Sequence, residues 1–188
     1  MEQNDMPDMR RLDLRSTAFH EAGHAVSAHF HGIDYSRVWI LRREDGAPVP
    51  KNTPLGQLTR TQPVQKNEFS GELELAKTEA IQALVGPIAE CLAHPGFQPD
   101  WQLNCGDLND ARSFLRFAIV PFRIENGKAT FTNADHNQAI PELDRILNEC
   151  LQASLKFVNS QSAQIACVAE ALLSRWELTK QDVNDLLT

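Results

Sequence analysis

The sequence lacks the features that mark export, membrane insertion and nucleic-acid binding. It has no stretch of about 18 apolar residues, and residues 1–15 are polar and charged, without the apolar run of a signal peptide. The formal net charge is −7 and Lys and Arg form no basic run, which argues against nucleic acid or an anionic membrane as the main partner. We therefore expect a chain that is neither exported nor inserted in a membrane.

Cysteine motifs and nucleotide-binding motifs are missing as well. Cys91, Cys105, Cys150 and Cys167 show no C-x-x-C spacing and no paired framework. This pattern favours a reduced, cytoplasmic compartment, thiols packed in the core and no cysteine zinc site. The phosphate loop G-x-x-x-x-G-K-[ST] does not occur, and neither does a nucleotide or flavin fingerprint. We expect no ATPase activity from this sequence.

The most informative segment that is present is His-Glu-Ala-Gly-His, residues 20–24, inside a run with helical spacing. Two histidines four residues apart lie one turn above each other on a helix, so His20 and His24 can bind one metal ion. Glu21 then lies beside the open coordination position, where a general base can take a proton from water. The H-E-x-x-H pattern predicts a zinc-dependent hydrolase.

A catalytic zinc ion usually has three protein ligands and an open fourth position, so one ligand must come from elsewhere in the chain. The candidates are Glu90, His94, Asp107 and Asp110. Asp107 and Asp110 lie three residues apart at the start of a predicted helix, where a capping carboxylate is as ordinary as a metal ligand. Spacing alone leaves the third ligand open.

The other histidines near the motif are poor candidates. Ser27 and Phe30 occupy the positions at which a metzincin has glycine and histidine, so that subclass is excluded. His29 lies on another side of the helix. His31 is about 16 Å from His20 along the helix axis at 1.5 Å per residue, too far to share a metal ion. We expect both to be surface or partly buried side chains.

Length and periodicity predict one mainly α-helical domain, an α+β zincin variant with little sheet. We expect residues 1–15 to be a flexible N-terminal arm that ends where Ser16 or Thr17 caps the motif helix, and residues 16–188 to form the domain. The motif helix should run to about Phe30 and stop at Gly32.

The remaining segments predict a small β-ribbon and several more helices. Strands are expected at 37–42 and 55–61, and helices at 68–93, with a kink or break at Gly86-Pro87, and at 108–120. The stretches 141–159 and 162–176 should pair as a C-terminal helical hairpin. Thr179-Lys-Gln-Asp182 has the pattern of a capping box that opens a last short helix.

Six segments resemble, in order, the peptidase domain of the FtsH-type ATP-dependent zinc proteases. They are Thr17-Ala-Phe-His-Glu-Ala-Gly-His-Ala-Val26, Val38-Trp-Ile-Leu, Leu55-Gly-Gln-Leu, Ala83-Leu-Val-Gly-Pro-Ile-Ala-Glu90, Gly106-Asp-Leu-Asn-Asp-Ala-Arg112 and the closing run Leu172 to Leu187. The resemblance covers nearly all of the chain after residue 16. It implies a single zinc peptidase domain.

The resemblance also implies roles for individual residues. In that family, two motif histidines and an aspartate in a small-residue-Asp-Leu-x-x-Ala pattern bind zinc, and this pattern matches Asp107. Placing Asp110 in that register would put Ala111 where leucine is expected. Glu90 matches a glutamate near the site, which we interpret as a carboxylate that orients a motif histidine rather than a ligand.

The sequence departs from the family in two respects. The double glycine and arginine of the Glu90 helix are replaced by Val85-Gly-Pro-Ile88, which affects the wall near the metal. The family's unfoldase module is also missing from this sequence, so we expect it to act on unfolded or short polypeptides, or together with an ATPase on a separate chain. Apolar helix faces permit a homo-oligomer.

These observations predict a zinc-dependent endopeptidase in which Glu21 acts first as general base and then as general acid. The alternative is a zinc-binding pseudoprotease that acts as an adaptor or assembly partner. A purely structural role for the histidines is a third reading. Stoichiometric zinc would exclude the structural role, and Glu21→Gln separates the enzyme from the adaptor.

Overall fold

A computed structural model describes residues 14–41, 55–94, 96, 98–99, 101, 104–125 and 128–188. The helices are α1 (Leu14–Phe30), α2 (Leu73–Ala93), α3 (Cys105–Ile119), α4 (Asn133–Ser160), α5 (Ser162–Arg175) and α6 (Lys180–Leu187), and a short 3₁₀ helix spans Lys66–Phe69. The strands are β1 (Tyr35–Ile40), β2 (Gly56–Arg60), β3 (Arg123–Glu125), β4 (Lys128–Thr130) and β5 (Glu177–Thr179). The predicted mainly helical class with a small β-ribbon is confirmed.

The helices α1 and α2 pack closely on each other and form the centre of the domain. Both are rich in fully buried alanines, such as Ala22 and Ala25 of α1 and Ala80 of α2, and Gly23 of α1 lies directly against Ala89 of α2. Small side chains allow two helix backbones to approach each other closely. Helix α5 covers another side of α1, while α3 and α4 cover α2.

One antiparallel sheet of three strands has the order β2-β1-β5. Val38 in the central strand pairs with Leu58 of β2 and with Leu178 of β5, and Val38 and Leu178 are buried. The pairing of β1 with β2 follows the predicted ribbon, although Arg42, the predicted end of the first strand, lies outside the described residues. Strand β5 was not predicted and adds a third strand to this ribbon. Trp176 adopts a left-handed conformation with φ 70° and leads the chain from α5 into β5.

The predicted C-terminal hairpin needs correction in its packing. Helices α4 and α5 are separated by Gln161 alone, but α4 packs mainly on α2 and α5 mainly on α1, rather than on each other. The buried residues of α4 recur every four positions at Ile146, Cys150, Ser154 and Val158. This stripe faces α2, since the Cys150 thiol lies 3.9 Å from the Lys77 carbonyl oxygen and Ser154 Oγ lies 3.4 Å from the Ile81 carbonyl oxygen.

Two predicted helix starts are also wrong. Helix α4 begins at Asn133 rather than near Pro141, because the Thr132 hydroxyl caps it by accepting from the Asp135 N–H at 3.1 Å. Ser16 and Thr17 do not cap α1 but lie buried within it. The rest of the predicted arm, residues 1–13, lies outside the described residues.

Of the other predictions of local structure, two are confirmed, one is wrong and one falls on residues that the structure does not describe. Helix α1 ends at Phe30, and Gly32 follows with φ +68°. The capping box of Thr179 and Asp182 is present at the start of α6. Helix α2 continues through Gly86 and Pro87 without the predicted break. The loop predicted at Asn126-Gly127 falls outside the described residues, and β3 and β4 pair on either side of it.

The prediction of core thiols is correct for part of the set. Cys150 is buried and Cys91 partly buried, whereas Cys105 and Cys167 are exposed; all four are free. The exposed thiols lie on the outward faces of α3 and α5, where periodicity alone did not separate them from the core. Within the described residues, no helix combines the length and apolarity needed to cross a membrane.

Candidate metal centre

The two motif histidines lie on the same side of α1, as a spacing of four residues requires. The Nε2 atoms of His20 and His24 are 3.1 Å apart. The rings stand nearly perpendicular to each other, with an interplanar angle of 75°. Both side chains are mostly buried, with 14% and 12% of the side-chain surface exposed. The two nitrogens therefore face one small volume between α1, α2 and α3.

Asp107 joins this pair from the first turn of α3. One carboxylate oxygen lies 3.4 Å from His20 Nε2 and the other 3.7 Å from His24 Nε2. Zinc bonds of about 2.0–2.2 Å at tetrahedral angles place donor atoms about 3.3–3.6 Å apart. The distance from each histidine to its nearer Asp107 oxygen is close to this spacing, and one ligand atom from each of the three residues lies within 4.8 Å of the other two. Within the described part of the chain, these residues form the one group of three such side chains able to hold a metal ion.

The outer ring nitrogens of the two histidines contact helix α2. His24 Nδ1 lies 2.8 Å from the Gln82 carbonyl oxygen, and the Gln82 side-chain amide donates back to the His24 carbonyl at 2.8 Å. His20 Nδ1 faces the Glu90 carboxylate at 3.6 Å, an ion-pair distance longer than a normal hydrogen bond. Protons on the Nδ1 atoms leave both Nε2 lone pairs directed at the shared volume.

Gly86 of α2 forms the wall opposite the histidines. A Cβ added at this position would lie 2.4 Å from His24 Nε2 and 2.8 Å from His20 Nε2. Any side chain would therefore fill the space in front of both donor atoms. This gap, lined by two imidazoles and a carboxylate, fits a metal ion that prefers nitrogen and oxygen ligands.

The charges around the gap favour a cation. Glu21, Glu90 and Asp107 place three carboxylates around two imidazoles. Burial lowers the pKa of His20, but the surrounding carboxylates outweigh this effect and raise the pKa to about 9. Burial lowers the pKa of His24 to about 4, and the neighbouring His20 contributes to the decrease. The site thus attracts positive charge to its centre.

Glu21 lies next to these groups, buried with 6% of its surface exposed. Burial raises the pKa of Glu21 to about 7, while His20 opposes the increase. Its carboxylate accepts a hydrogen bond from the backbone N–H of Leu58 in β2. A Cβ at Gly56 would lie 2.6 Å from Glu21 Cγ, so glycine allows β2 to approach the carboxylate closely. A carboxyl group with this pKa can exchange protons near neutral pH.

The remaining sequence candidates lie elsewhere. Asp110 projects away from the group and pairs with Lys66 at 2.9 Å. His94 occupies the C-cap of α2. His29 Nδ1 contacts the Asn184 side chain at 2.9 Å, and His31 contacts Ser27 within α1. None of these side chains belongs to the described group of three metal-binding residues.

Three residues that help to build the site were not identified as such from the sequence. Gln82 contacts His24, Gly86 leaves a gap that a metal ion could fill, and Asn104 donates to Glu90 at 2.8 Å. A glycine in the middle of a helix costs about 1 kcal/mol relative to alanine, which signals a packing or functional reason. The sequence predicts a kink or break at Gly86-Pro87, and the resemblance places this segment in the wall near the metal, but neither predicts that glycine itself is required. Nothing in the local sequence marks Gln82 or Asn104.

Comparison of the sequence with models of protein families gives no match, and comparison with curated proteins also finds no match. Function is therefore inferred from the positions and chemistry of the side chains at this centre.

Proposed function

We propose that this chain is a zinc-dependent endopeptidase that cleaves unfolded or short polypeptides. The observation that carries the proposal is the triangle of donor atoms from His20, His24 and Asp107, with the buried carboxylate of Glu21 next to it. Three nitrogen and oxygen ligands are the usual protein contribution to a catalytic zinc site. When bound, zinc would polarise a peptide carbonyl and lower the pKa of a water molecule to about 7.

Glu21 is the proposed general base. Its carboxylate would accept a proton from the attacking water and later donate that proton to the leaving nitrogen of the peptide. The Leu58 N–H and the closely packed Gly56 hold this carboxylate in place. The low exposure of Glu21 keeps bulk water from competing for the proton.

The exposed edge of β2 is the proposed binding site for the peptide main chain. Among the described strands, β2 is at one end of the three-stranded sheet and pairs with β1 alone. The Leu58 N–H reaches Glu21. The edge of β2 that does not pair with β1 therefore faces the candidate metal centre. An extended peptide added to this edge would form main-chain hydrogen bonds and lie across the metal.

This binding mode can be tested without changing the protein. Peptides methylated at single backbone nitrogens near the scissile bond should lose kcat/KM at alternate positions, because each methyl group removes one strand hydrogen bond. Equal cleavage of every methylated peptide would exclude main-chain pairing.

The resemblance of residues 17–26, 83–90 and 106–112 to FtsH-type peptidase domains supports the same activity. We include in the proposal a cytoplasmic location and, for folded substrates, an unfoldase on a separate chain. A homo-oligomer is compatible with the proposal.

The experiment that tests the proposed function combines metal analysis with cleavage of an unfolded, casein-like substrate. Wild-type protein should contain one zinc ion per chain and cleave the substrate. Glu21→Gln should keep zinc and lose cleavage, and Asp107→Ala should lose or weaken zinc binding. Asp110→Ala is the matched control, since it removes a carboxylate one turn further along α3 and should change neither property.

The possible results separate the candidate functions. Zinc without cleavage in wild type would favour an adaptor over an enzyme. Cleavage that persists in Glu21→Gln would remove Glu21 from the mechanism. Absence of zinc from wild type after reconstitution would refute the metal centre itself.

A further inference from the structure

The first turn of α3 contacts the motif histidine His20 by two routes. Asp107 approaches His20 Nε2 directly at 3.4 Å. Three residues earlier, the Asn104 side-chain amide donates to one oxygen of Glu90 at 2.8 Å. The other oxygen of Glu90 lies 3.6 Å from His20 Nδ1. Both nitrogens of one imidazole are thus connected to the same helical turn.

Asn104 occupies the N-cap position of α3, where an asparagine side chain usually accepts a hydrogen bond from the helix backbone. Here the Asn104 side chain makes no such capping bond. Its amide instead reaches across to Glu90 on α2. A residue type that is well suited to capping is therefore used for a contact between two helices.

We propose that Asn104 is a positioning residue for the metal centre, which fixes the Glu90 carboxylate so that Glu90 orients His20. This inference goes beyond the proposed function but rests on metal binding by His20, His24 and Asp107. Glu90 is partly exposed, with 29% of its side-chain surface accessible, so its carboxylate can rotate unless a partner holds it. The Asn104 amide supplies that partner.

The physical consequence concerns the direction of the His20 ring. An imidazole that binds a metal through Nε2 is oriented by the hydrogen-bond acceptor at Nδ1. Without Asn104, the Glu90 carboxylate can turn toward solvent and leave Nδ1 without the carboxylate that it faces at 3.6 Å. The metal would then bind to a less ordered ligand, and its affinity would fall.

The test measures zinc affinity by competition with a chelator for wild type, Asn104→Ala and Asn104→Asp. Aspartate is as good an N-cap as asparagine, but it cannot donate to Glu90 and repels it. Both variants should bind zinc about 10- to 100-fold more weakly than wild type, the range found when such outer partners of metal ligands are lost. The visible absorption of the cobalt(II)-substituted variants should also change, because it reports ligand geometry.

A double-mutant cycle tests whether Asn104 acts through Glu90. In a Glu90→Ala background, adding Asn104→Ala should weaken zinc binding little further, since the group that Asn104 holds is already gone. Asn109→Ala is the matched control: it removes an exposed asparagine from the same helix and should leave affinity and spectrum unchanged.

Each outcome decides the inference. Wild-type affinity in Asn104→Asp together with lowered thermal stability in Asn104→Ala would indicate a capping role and overturn it. If the fold-losses of zinc affinity in Asn104→Ala and Glu90→Ala multiply in the double variant, the two residues act independently and the inference is also overturned. If the predicted affinities are found but no peptide is cleaved, the inference stands and the proposed function fails. If wild type binds no metal, both fail.

Discussion

The substitution Gly86→Ala gives the most direct test of the metal centre. The added methyl carbon would lie 2.4 Å from His24 Nε2 and 2.8 Å from His20 Nε2. Cβ atoms in proteins are essentially never within 3.0 Å of a heavy atom from a residue that is not a chain neighbour. The nearer imidazole must therefore move by at least about 0.6 Å, while metal–ligand distances tolerate only about 0.2 Å. We expect zinc affinity to fall by more than about 100-fold, beyond the range seen for loss of outer partners.

The fold should survive this change. Alanine is favoured over glycine in a helix by about 1 kcal/mol, which offsets part of the cost of about 1–3 kcal/mol for overpacking. The net change in the free energy of unfolding of the metal-free protein should stay within about 2 kcal/mol. The loss of zinc binding would then be a local effect of the methyl group.

The assay is thermal or urea unfolding with and without zinc, together with chelator competition. At a zinc concentration 100 times its dissociation constant, wild type should gain about 2.7 kcal/mol from binding, and Gly86→Ala should gain almost nothing. Gly106→Ala is the matched control, because a Cβ at that helical position meets nothing within 4 Å. Zinc affinity of Gly86→Ala equal to that of wild type would refute the described placement of the two histidines.

Four further predictions concern stability. Tyr35 is buried and its hydroxyl has no hydrogen-bond partner among the described residues. Tyr35→Phe should therefore stabilise the protein by about 1 kcal/mol in urea unfolding at neutral pH. A marked loss of stability would show that the hydroxyl has a partner. Because burial raises the pKa of Tyr35 to about 12, only the unfolded chain ionises from about pH 10 upward, and wild type should lose about 2 kcal/mol of stability relative to Tyr35→Phe by pH 12. Arg60 makes two hydrogen bonds, of 2.8 and 2.5 Å, to the buried Glu79. Arg60→Met should therefore lower the free energy of unfolding by about 3–5 kcal/mol, and the double variant with Glu79→Leu should lower it much less. Equal losses in the single and double variants would contradict the pairing. Leu84 is fully buried, so Leu84→Ala should cost about 2–5 kcal/mol in the same assay, and a cost below about 1 kcal/mol would place it outside the core.

Local signals were sufficient for much of the fold. The capping box at Thr179 and Asp182, the helix stop before Gly32 and the pairing of β1 with β2 depend on neighbouring residues and short turns, which sequence patterns report well. The start of α4 was missed because proline commonly occupies the first turn of a helix, whereas Pro141 lies inside this helix, which begins after the Thr132 cap. The partner of each C-terminal helix was missed because an apolar stripe shows that a face is buried but not what covers it.

The candidate site divides in the same way. His20, Glu21 and His24 are adjacent in one helix, so their relation follows from helix geometry alone. Residue patterns left Glu90, His94, Asp107 and Asp110 as candidates for the third ligand, and the resemblance favoured Asp107. In the structure Asp107 faces the histidines, while Asp110 pairs with Lys66.

The sequence by itself determined the helical character of the chain and the pair of histidines on one side of α1, because periodicity and spacing within one helix are local properties. Only the tertiary structure decided which carboxylate completes the donor set, that Gly86 leaves room for an ion, and that Asn104 and Gln82 are linked to the two histidines. These contacts join residues from α1, α2 and α3. Their geometry depends on how the helices pack, because close approach of two backbones is a property of the interface and not of either segment.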